Sequence, residues 1–248
     1  MKILTVIPTY NERVNVEPLV RSLVALPLNL SVLFVDDRSP DGTADRVREI
    51  AREFPTGRVE VMVRTGAKGF AASYIDGFRH ASHMHIDAIL QMDADGQHPA
   101  SAIPDLVETM ERTHADLVIA SRYVAGGGTG EWATVRRLIS EFGGFYARRV
   151  LNVPYMDLTG GFKLWRRDVL EKMPLERLTS KRFSIQIETT WLAHRMGAHI
   201  VETPFTFAVR ERGESNMSAK VVLEGLLRVL QWAASPLPVP ALDRGRRR

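Results

Sequence analysis

The sequence contains no cysteine, which excludes disulfide bonds, zinc sites built from thiolates and cysteine nucleophiles. It also lacks any run of the roughly 18 to 20 apolar residues that a membrane-spanning helix requires, so any contact with a membrane is expected to be peripheral. The apolar run within residues 1–8 is too short for a signal peptide and continues into polar residues. We therefore interpret it as a first β-strand and expect a cytoplasmic protein.

The excess of positive charge is small, because 33 basic residues are balanced by 29 acidic ones and the formal net charge is +4. Outside residues 244–248, basic residues are interspersed with acidic ones and form no stripe with aromatic residues, so we do not expect nucleic-acid binding. Residues 244–248 include four arginines. This segment is either a solvated end of the chain or a segment that anionic lipid headgroups attract.

Short apolar segments rich in β-branched residues alternate with helix-like segments over the first 120 residues. The predicted strands are 3–7, 31–35, 59–63, 88–92 and 117–120, and the predicted helices are about 14–25, 42–53, 70–83 and 100–113. This alternation predicts an α/β fold, in which helices cover both faces of a mostly parallel sheet. Ligands of such folds bind at the carboxyl ends of the strands, and the unusual polar residues of this chain concentrate there.

The fourth predicted strand leads into Asp93-Ala94-Asp95-Gly96-Gln97. Asp93 and Asp95 repel each other and gain little in a packed core, whereas a divalent cation with oxygen ligands neutralises both. A cation held by one or two protein carboxylates keeps open positions, which phosphate oxygens commonly occupy. The other interpretation is an acidic turn that caps the next helix, but the buried-strand pattern before the acids favours the metal site.

Other predicted strand ends also carry polar groups. Asp36-Asp37 ends the second strand, where a carboxylate can accept hydrogen bonds from a nucleobase or a ribose hydroxyl, and Asp41-Gly42-Thr43 predicts a turn and a helix start. Lys68 could approach a phosphate or belong to a surface loop, because the known phosphate-loop patterns are absent. Arg122 suits phosphate or carboxylate binding, and Asn11 is predicted to cap the first helix.

Four segments together resemble a known family. They are Pro8-Thr9-Tyr10-Asn11-Glu12, Val35-Asp36-Asp37, Asp93-Ala94-Asp95-Gly96-Gln97-His98-Pro99 and Ser121-Arg122-Tyr123. In this order and spacing they resemble the inverting family 2 glycosyltransferases of the GT-A fold, and more narrowly the dolichol- or polyprenol-phosphate mannosyltransferase branch. The resemblance runs from residue 3 to about residue 233, and the segment that begins at Asp93 is its most specific part.

The resemblance implies a sugar-nucleotide site with bound Mg²⁺ or Mn²⁺. The implied metal ligands are Asp93, Asp95 and Gln97. The implied donor-nucleotide site comprises Pro8, Tyr10, Glu12, Asp37, Lys68, Asp93, Ala94 and Arg210. The acceptor phosphate is expected to contact Arg122, Arg136, Arg137, Ser215 and Lys220, and the expected catalytic residues are Asp95, Arg122 and Asp157.

Several assignments in the second half of the chain have alternatives. Asp157 begins a segment that resembles the acceptor side of the cleft in this branch, but it could also be a capping acid in a tight turn. Glu188 is either a structural partner of an arginine or a ligand contact. Residues 210–217 resemble the loop that folds over the donor diphosphate, although Asn216 stands where a lysine is expected. Lys220 or Arg212 could take the role of that lysine.

The chain divides into a predicted catalytic domain at 1–220, an amphipathic helix at 221–235 and a Pro/Arg-rich tail at 236–248, which we expect to be disordered. Further predicted elements are helices at 132–151 and 183–196 and a strand at 200–209. The residues expected on the apolar side of the last helix are Val222, Leu226, Val229 and Leu230. That side either packs on the domain or dips among lipid tails at a membrane surface.

These features predict transfer of mannose from GDP-mannose to a polyprenyl monophosphate, with inversion, at the cytoplasmic face of a membrane. A polyprenyl phosphate oxygen is already anionic near neutral pH, so positioning by cations matters more than a general base. A sugar hydroxyl as acceptor would need a base, for which Asp157 is the candidate. One alternative uses UDP-glucose or another nucleotide sugar; another is a catalytically silent subunit that binds a sugar nucleotide or a protein partner.

Overall fold

The computed structural model describes residues 1–130, 134–208 and 219–243. The strands are β1 Ile3–Thr9, β2 Leu30–Asp36, β3 Val59–Val63, β4 Ala88–Gln91, β5 Leu117–Ser121, β6 Lys163–Arg166 and β7 Ile200–Pro204. The α-helices are α1 Val16–Val24, α2 Thr43–Ala51, α3 Phe70–Ser82, α4 Ile103–Thr113, α5 Thr134–Leu151, α6 Arg167–Lys172, α7 Ile185–Arg195 and α8 Ala219–Ala234. The strands form one sheet in the order β3-β2-β1-β4-β6-β5-β7.

All strands of this sheet are parallel except β6, which is antiparallel to both of its neighbours, β4 and β5. The predicted α/β fold with a mostly parallel sheet is confirmed. β6 was not predicted, because Lys163-Leu164-Trp165-Arg166 contains no β-branched residue and two charged ones. The strand predicted at 200–209 is shorter than expected: β7 ends at Pro204, because its partner β5 ends at Ser121, the residue that Pro204 faces in the register.

Helices cover both faces of the sheet. One hydrophobic core lies between the sheet and α1, α2 and α4 and contains Ile7 of β1. The other lies between the sheet and α3, α5, α6, α7 and α8 and contains Val6 of β1. Adjacent residues of one strand therefore enter opposite cores. Burial of both faces explains why these strands have continuous apolar sequences.

The first two helices begin differently from each other. The prediction that Asn11 caps α1 is wrong: Asn15 occupies that position, and Asn11 adopts a left-handed conformation with φ 61°. The turn that holds Asn11 is fixed from the loop after β2, because the Asn11 N–H donates to the Ser39 hydroxyl at 3.0 Å. The turn predicted before α2 is confirmed, since Oδ1 of Asp41 accepts hydrogen bonds from the N–H and the hydroxyl of Thr43 at 3.0 and 2.6 Å.

α8 packs against the domain through Val229 and Trp232, which are 1% and 4% exposed. Leu230, predicted on the same side, is instead 51% exposed, because helical spacing aligns Val229 with Trp232. Residues 236–243, predicted as a disordered tail, lie against the end of α7, where Leu242 is buried and its N–H donates to Met196 O at 2.8 Å. Among the helices described, none combines the length and hydropathy that crossing a bilayer would need.

Candidate active site at the carboxyl ends of the strands

Asp36 joins the loops that follow β1 and β2. Its carboxylate accepts hydrogen bonds from the Thr9 hydroxyl at 3.2 Å and from the Ser39 N–H and hydroxyl at 2.9 and 2.6 Å. The Asp36 side chain is buried. Its position indicates that Asp36 organises these two loops.

Asp37, predicted to bind the nucleotide, lies in a buried ion pair with Arg64. Its Oδ1 accepts a hydrogen bond from the Arg64 guanidinium at 2.7 Å, and its Oδ2 accepts one from the Gly69 N–H at 2.7 Å. Arg64 also donates to Asp76 at 2.7 Å. Each carboxylate oxygen can accept a second hydrogen bond, so these contacts leave Asp37 able to bind a ligand. Arg64 was missed as a site residue, although its place after a strand could have indicated it.

The other predicted nucleotide-binding residues of this region lie beside the same loop. Tyr10 is 50% exposed, and the Lys68 ammonium lies 4.5 Å from the centre of its ring, where a cation and an aromatic face attract each other. Glu12 accepts a side-chain hydrogen bond at 2.6 Å just before α1. Pro8 faces Val35 of β2 in the sheet register. The structure therefore gathers the predicted residues of β1 and of the loops after β2 and β3.

The acid pair follows β4. Asp93 accepts a hydrogen bond from the Tyr74 hydroxyl at 2.7 Å, and its N–H donates to Nδ1 of His98 at 3.0 Å. Asp95 accepts one from the Gln97 N–H at 3.1 Å. Burial, together with the negative charge of Asp93, raises the pKa of Tyr74 well above its usual value. Tyr74 therefore stays protonated and donates to Asp93.

His98 anchors the loop that carries the acids. Its ring stacks on Phe162 with the ring centres 4.8 Å apart, and burial lowers its pKa. Because Nδ1 accepts the Asp93 N–H, the proton of the neutral ring lies on Nε2. The same loop is held from the segment after β7, since the Ala208 N–H donates to Gln97 O at 3.0 Å.

The acid pair fits a magnesium or manganese ion by its donor chemistry. Asp93 and Asp95 are partly exposed and offer the oxygen donors that these ions prefer. Space beside Asp93 is kept by Gly161, where a Cβ atom would lie 3.4 Å from Oδ2 of Asp93. Within the described ranges, no cluster of three or more acidic, histidine or cysteine side chains could hold a metal. An ion here would need further oxygens, such as the Gln97 amide, water or phosphate, as is usual for Mg²⁺. Ala94, between the acids, is buried.

Arg122 and Asp157, for which the sequence suggested separate roles, form one buried ion pair. The guanidinium donates to the carboxylate from Nε at 2.7 Å and from Nη2 at 2.6 Å, and the Arg122 N–H donates to it at 3.0 Å. Nη2 also donates to the Thr159 hydroxyl at 2.8 Å. Two hydrogen bonds from one guanidinium to one carboxylate, an arrangement we call the fork, bind more strongly than a single hydrogen bond.

This pairing makes Asp157 a poor general base. Burial alone would raise the pKa of Asp157, but the charge and hydrogen bonds of Arg122 bring it below its usual value. A carboxylate held in its charged form by a neighbouring cation has little tendency to take a proton. The geometry therefore argues against the alternative in which Asp157 activates a sugar hydroxyl.

Three hydroxyl groups extend the Arg122 region. The Tyr123 hydroxyl donates to Ser140 of α5 at 2.7 Å, and Ser140 lies 3.3 Å from the Thr159 hydroxyl. Ser140 was not predicted as a site residue, although it lies only four residues after Arg136 in the sequence. The Arg137 side chain is half exposed, and its Nε lies 3.7 Å from Oε1 of Glu141.

A buried polar network lies behind the acid pair and was also missed. The Lys163 ammonium donates to the backbone oxygen of Gln186 at 2.7 Å and to its side-chain oxygen at 3.4 Å. The amide of Gln91 donates to the same side-chain oxygen, and Gln91 in turn accepts the Trp165 N–H at 2.9 Å. Burial lowers the pKa of Lys163 to about 7.

Glu188 has a structural role, although its partners are not arginines. Its carboxylate accepts hydrogen bonds from the N–H and hydroxyl groups of Thr179 and Ser180, at distances from 2.5 to 3.2 Å. Thr179 also accepts the Trp232 N–H of α8 at 2.8 Å. Glu188 thus ties α7 and α8 to the loop before α7.

The remaining predictions concern residues whose side chains the structure does not describe. Arg210, Arg212, Ser215 and Asn216 lie outside the described residues. Arg136 and Lys220 lie within α5 and α8, and their side chains are outside the description.

Sequence comparison matches residues 5–173 to the family model "Glycosyl transferase family 2". The chain is 41% identical over 242 residues to an undecaprenyl-phosphate mannosyltransferase from Micrococcus luteus, with 94% of each chain covered. It is 39% identical over 229 residues to the polyprenol monophosphomannose synthase of Mycolicibacterium smegmatis, covering 92% of this chain and 86% of that one. It is 37% identical to a dolichol-phosphate mannosyltransferase from Pyrococcus furiosus, covering 94% of this chain and 64% of that one.

Structural comparison gives the same fold. Glucosyl-3-phosphoglycerate synthase from Mycobacterium tuberculosis, crystallised with Mn²⁺, UDP and phosphoglyceric acid, superposes with a TM-score of 0.69 at 16% identity, over 98% of this chain and 80% of that one. At this identity the likeness concerns the fold alone. The family match and the relatives show that the chain belongs to glycosyl transferase family 2 and is a glycosyltransferase that resembles the polyprenol- and dolichol-phosphate mannosyltransferases.

Proposed function

We propose that this glycosyltransferase transfers mannose from GDP-mannose to a polyprenyl monophosphate, with inversion, and that Mg²⁺ or Mn²⁺ binds at Asp93 and Asp95. One observation carries the proposal. The sheet order places the partly exposed acid pair of β4 between the Asp37 region of β1 and β2 and the Arg122 region of β5. A donor nucleotide on one side and an acceptor phosphate on the other would then meet at the acids.

The donor side offers groups suited to a nucleoside diphosphate. Tyr10 presents an exposed aromatic face, Asp37 a hydrogen-bond acceptor and Lys68 a positive charge. A bound divalent cation would supply electrostatic stabilisation to the departing diphosphate. Asp93 and Asp95 would hold that ion, Tyr74 would orient Asp93, and Arg210 remains a predicted contact of the diphosphate.

The acceptor side favours an anion that needs no base. Asp157 is committed to Arg122 and has a lowered pKa, so the acceptor has to bring its own negative charge, as a phosphate monoester does. The guanidinium of Arg122 and the hydroxyls of Ser140 and Thr159 form a polar cluster beside it. Arg136, Arg137, Ser215 and Lys220 remain predicted contacts of the same phosphate.

An exposed apolar surface supports contact with a membrane, where a polyprenyl chain would reside. α5 and α8 pack side by side, and the Tyr146 hydroxyl donates to Leu226 O at 3.2 Å between them. The side chains more than half exposed on these two helices are Leu138, Phe142, Phe145, Leu223, Leu227 and Leu230. Large exposed apolar surfaces are uncommon on proteins that stay in water, and amphipathic helices of this kind lie at lipid interfaces.

A second candidate donor is UDP-glucose, because the solved structures with this fold include one of glucosyl-3-phosphoglycerate synthase with UDP-glucose and Mn²⁺. The relatives at 37–41% identity are named for mannose transfer and make GDP-mannose the stronger proposal.

The test is a transfer assay with purified protein, Mn²⁺ and radiolabelled GDP-mannose, with and without a polyprenyl phosphate, that follows label into the organic phase. Label that depends on both metal and lipid is the expected result. Transfer from UDP-glucose but not from GDP-mannose would move the function to the second donor.

Asp95→Ala tests the metal assignment in the same assay, with Asp105→Ala on the exposed start of α4 as the matched control. Loss of the carboxylate should lower turnover by ~100- to 1,000-fold, the range seen when one electrostatic contact of a transition state is removed. The control should retain activity. Normal turnover by Asp95→Ala would remove the metal argument.

A further inference from the structure

Gln186 is a buried, hydrogen-bonded side chain near the acid pair, and the proposed reaction leaves it without a role. It lies in the first turn of α7 and is 2% exposed. Gln91 of β4 and Lys163 of β6 are direct partners in the sheet register, so their side chains leave the sheet on the same face. Both contact Gln186 there.

The direction of the Gln186 amide is fixed by a group that can only donate. The Trp165 N–H has no acceptor capacity, so the oxygen of Gln91 must face it, at 2.9 Å. The NH₂ group of Gln91 then faces Gln186 and requires its oxygen. Nζ of Lys163, which donates to the backbone oxygen of Gln186 at 2.7 Å, also lies 3.4 Å from that side-chain oxygen. The NH₂ group of Gln186 therefore points away from the network.

That NH₂ group and the Asp93 carboxylate both lie next to Gly161. A Cβ atom on Gly161 would lie 3.0 Å from Nε2 of Gln186 and 3.4 Å from Oδ2 of Asp93. Gly161 has no positive φ angle, so conformational freedom does not explain the glycine, whereas the need for space does. In the described part of the chain, no oxygen accepts a hydrogen bond from Nε2 of Gln186.

We propose that the Gln186 NH₂ group donates a hydrogen bond to a hydroxyl of the transferred sugar, and that Lys163 is the positioning residue that holds this amide in place. The inference rests on the proposed function, in which the diphosphate lies at Asp93 and Asp95. The group attached to that diphosphate is the sugar, whose hydroxyls can accept a hydrogen bond from a donor amide and donate one to a carboxylate.

The test measures Kd by calorimetry with Mn²⁺ and no acceptor, for GDP-mannose and for GDP, which lacks the sugar. The readout is the ratio of the two Kd values. Gln186→Glu keeps an oxygen for Gln91 and Lys163 but replaces the NH₂ group by an acceptor, and Gln186→Met removes the amide at similar length. We expect the ratio to shift by ~10-fold against GDP-mannose in both variants, as for a lost hydrogen bond plus an unpaired buried group.

Thr189→Val is the matched control, because this buried hydroxyl of α7 donates to the backbone oxygen of Ile185 in its own helix at 2.8 Å and has no other hydrogen bond among the described residues. It should leave the ratio unchanged. If Gln186→Met does not fold, Gln186→Glu decides the question. A ratio equal to that of the wild type, including equal weakening of both ligands, would show that Gln186 only stabilises the fold.

Lys163→Met tests the positioning role. Loss of the Lys163 hydrogen bonds should leave the Gln186 amide less firmly positioned and shift the ratio of the two Kd values by ~3-fold. Lys163→Arg keeps a hydrogen-bond donor and should shift this ratio less. An unchanged ratio in Lys163→Met would overturn this role. Wild-type protein that binds UDP-glucose in place of GDP-mannose would overturn the donor assignment instead, and the ratio for UDP and UDP-glucose would then test Gln186.

Discussion

The two buried arginine–aspartate pairs at the strand ends differ in how completely they are closed. Arg122 and Asp157 join through two side-chain hydrogen bonds, and their side chains are 4% and 0% exposed. Arg64 divides its guanidinium between Asp37 and Asp76, and the Asp76 side chain is 38% exposed. The proposed acceptor side of the site is thus a closed fork, whereas the proposed donor side is a chain of single contacts that reaches solvent.

This difference suggests that the two sides have different roles in the proposed reaction. A phosphate acceptor that supplies its own charge needs fixed positioning groups, and the fork holds Arg122 and the Thr159 hydroxyl in one geometry. The donor side has to admit and release a nucleotide, and contacts made one at a time by Asp37 are easier to rearrange than a fork. Breaking each pair separately tests this contrast.

Asp157→Ala should have the largest effect on stability. It leaves Arg122 buried without its carboxylate, so we expect the free energy of unfolding to fall by ~3–5 kcal/mol, measured by urea denaturation. The double variant Arg122→Met/Asp157→Leu should recover only part of that stability, because it removes the unpaired buried charge but leaves the backbone N–H groups of Arg122 and Gly160 without the carboxylate that accepts from them. It should not recover transfer activity. A loss below ~1 kcal/mol in Asp157→Ala would mean that the fork is open in solution.

Lys163 gives an intermediate effect that depends on pH. Unlike the two arginines, it has no carboxylate within salt-bridge distance among the described residues, and burial lowers its pKa to about 7 from 10.5. The unfolded chain therefore binds more protons at this group between pH 7 and 10.5, and stability rises with pH by up to ~1.4 kcal/mol per unit. Below pH 7, Lys163 is protonated in both the folded and the unfolded chain, and its burial lowers the free energy of unfolding by the full amount.

The check is the unfolding free energy of the wild type and of Lys163→Met at pH values from 7 to 9. The wild-type curve should rise relative to that of the variant by ~2 kcal/mol over this range. Parallel curves would show that Lys163 keeps its proton throughout.

Asp37→Asn should have the smallest effect on stability, about 1–2 kcal/mol, because the amide oxygen can still accept one of the two hydrogen bonds. Its main consequence should be a donor KM raised by ~10-fold with an unchanged acceptor KM, measured by steady-state kinetics. Asp76→Asn, at the exposed end of the same chain of contacts, should change both values less. A raised acceptor KM in Asp37→Asn would contradict the separation of the two sides.

The sequence predicted the parts of the fold whose physics is local. β1 to β5 have β-branched apolar runs, and Asp93 and Asp95 are unusual because they directly follow one of them. β6 escaped prediction because a strand of four residues that begins with Lys163 has no such run. The length of α8 was predicted to within a few residues, but the side occupied by Leu230 was not, since Trp232 decides which face is buried.

The pairings within the site could not be predicted, because they join distant parts of the chain. Arg122 and Asp157 are 35 residues apart, and each alone suits a ligand as well as it suits the other. Gln91 and Gln186 are 95 residues apart, and neither residue type signals a buried network. Only the strand order brings these groups together.

The reversed direction of β6 determines where in the sequence some residues of this site lie. A parallel strand delivers residues to the active edge of the sheet only from the loop that follows it, as β4 does with Asp93. A strand that runs the opposite way delivers them from the segment that precedes it. Asp157, Thr159 and Gly161 therefore reach the site from upstream of β6. Any search for functional residues in this chain has to look before this strand and after the others.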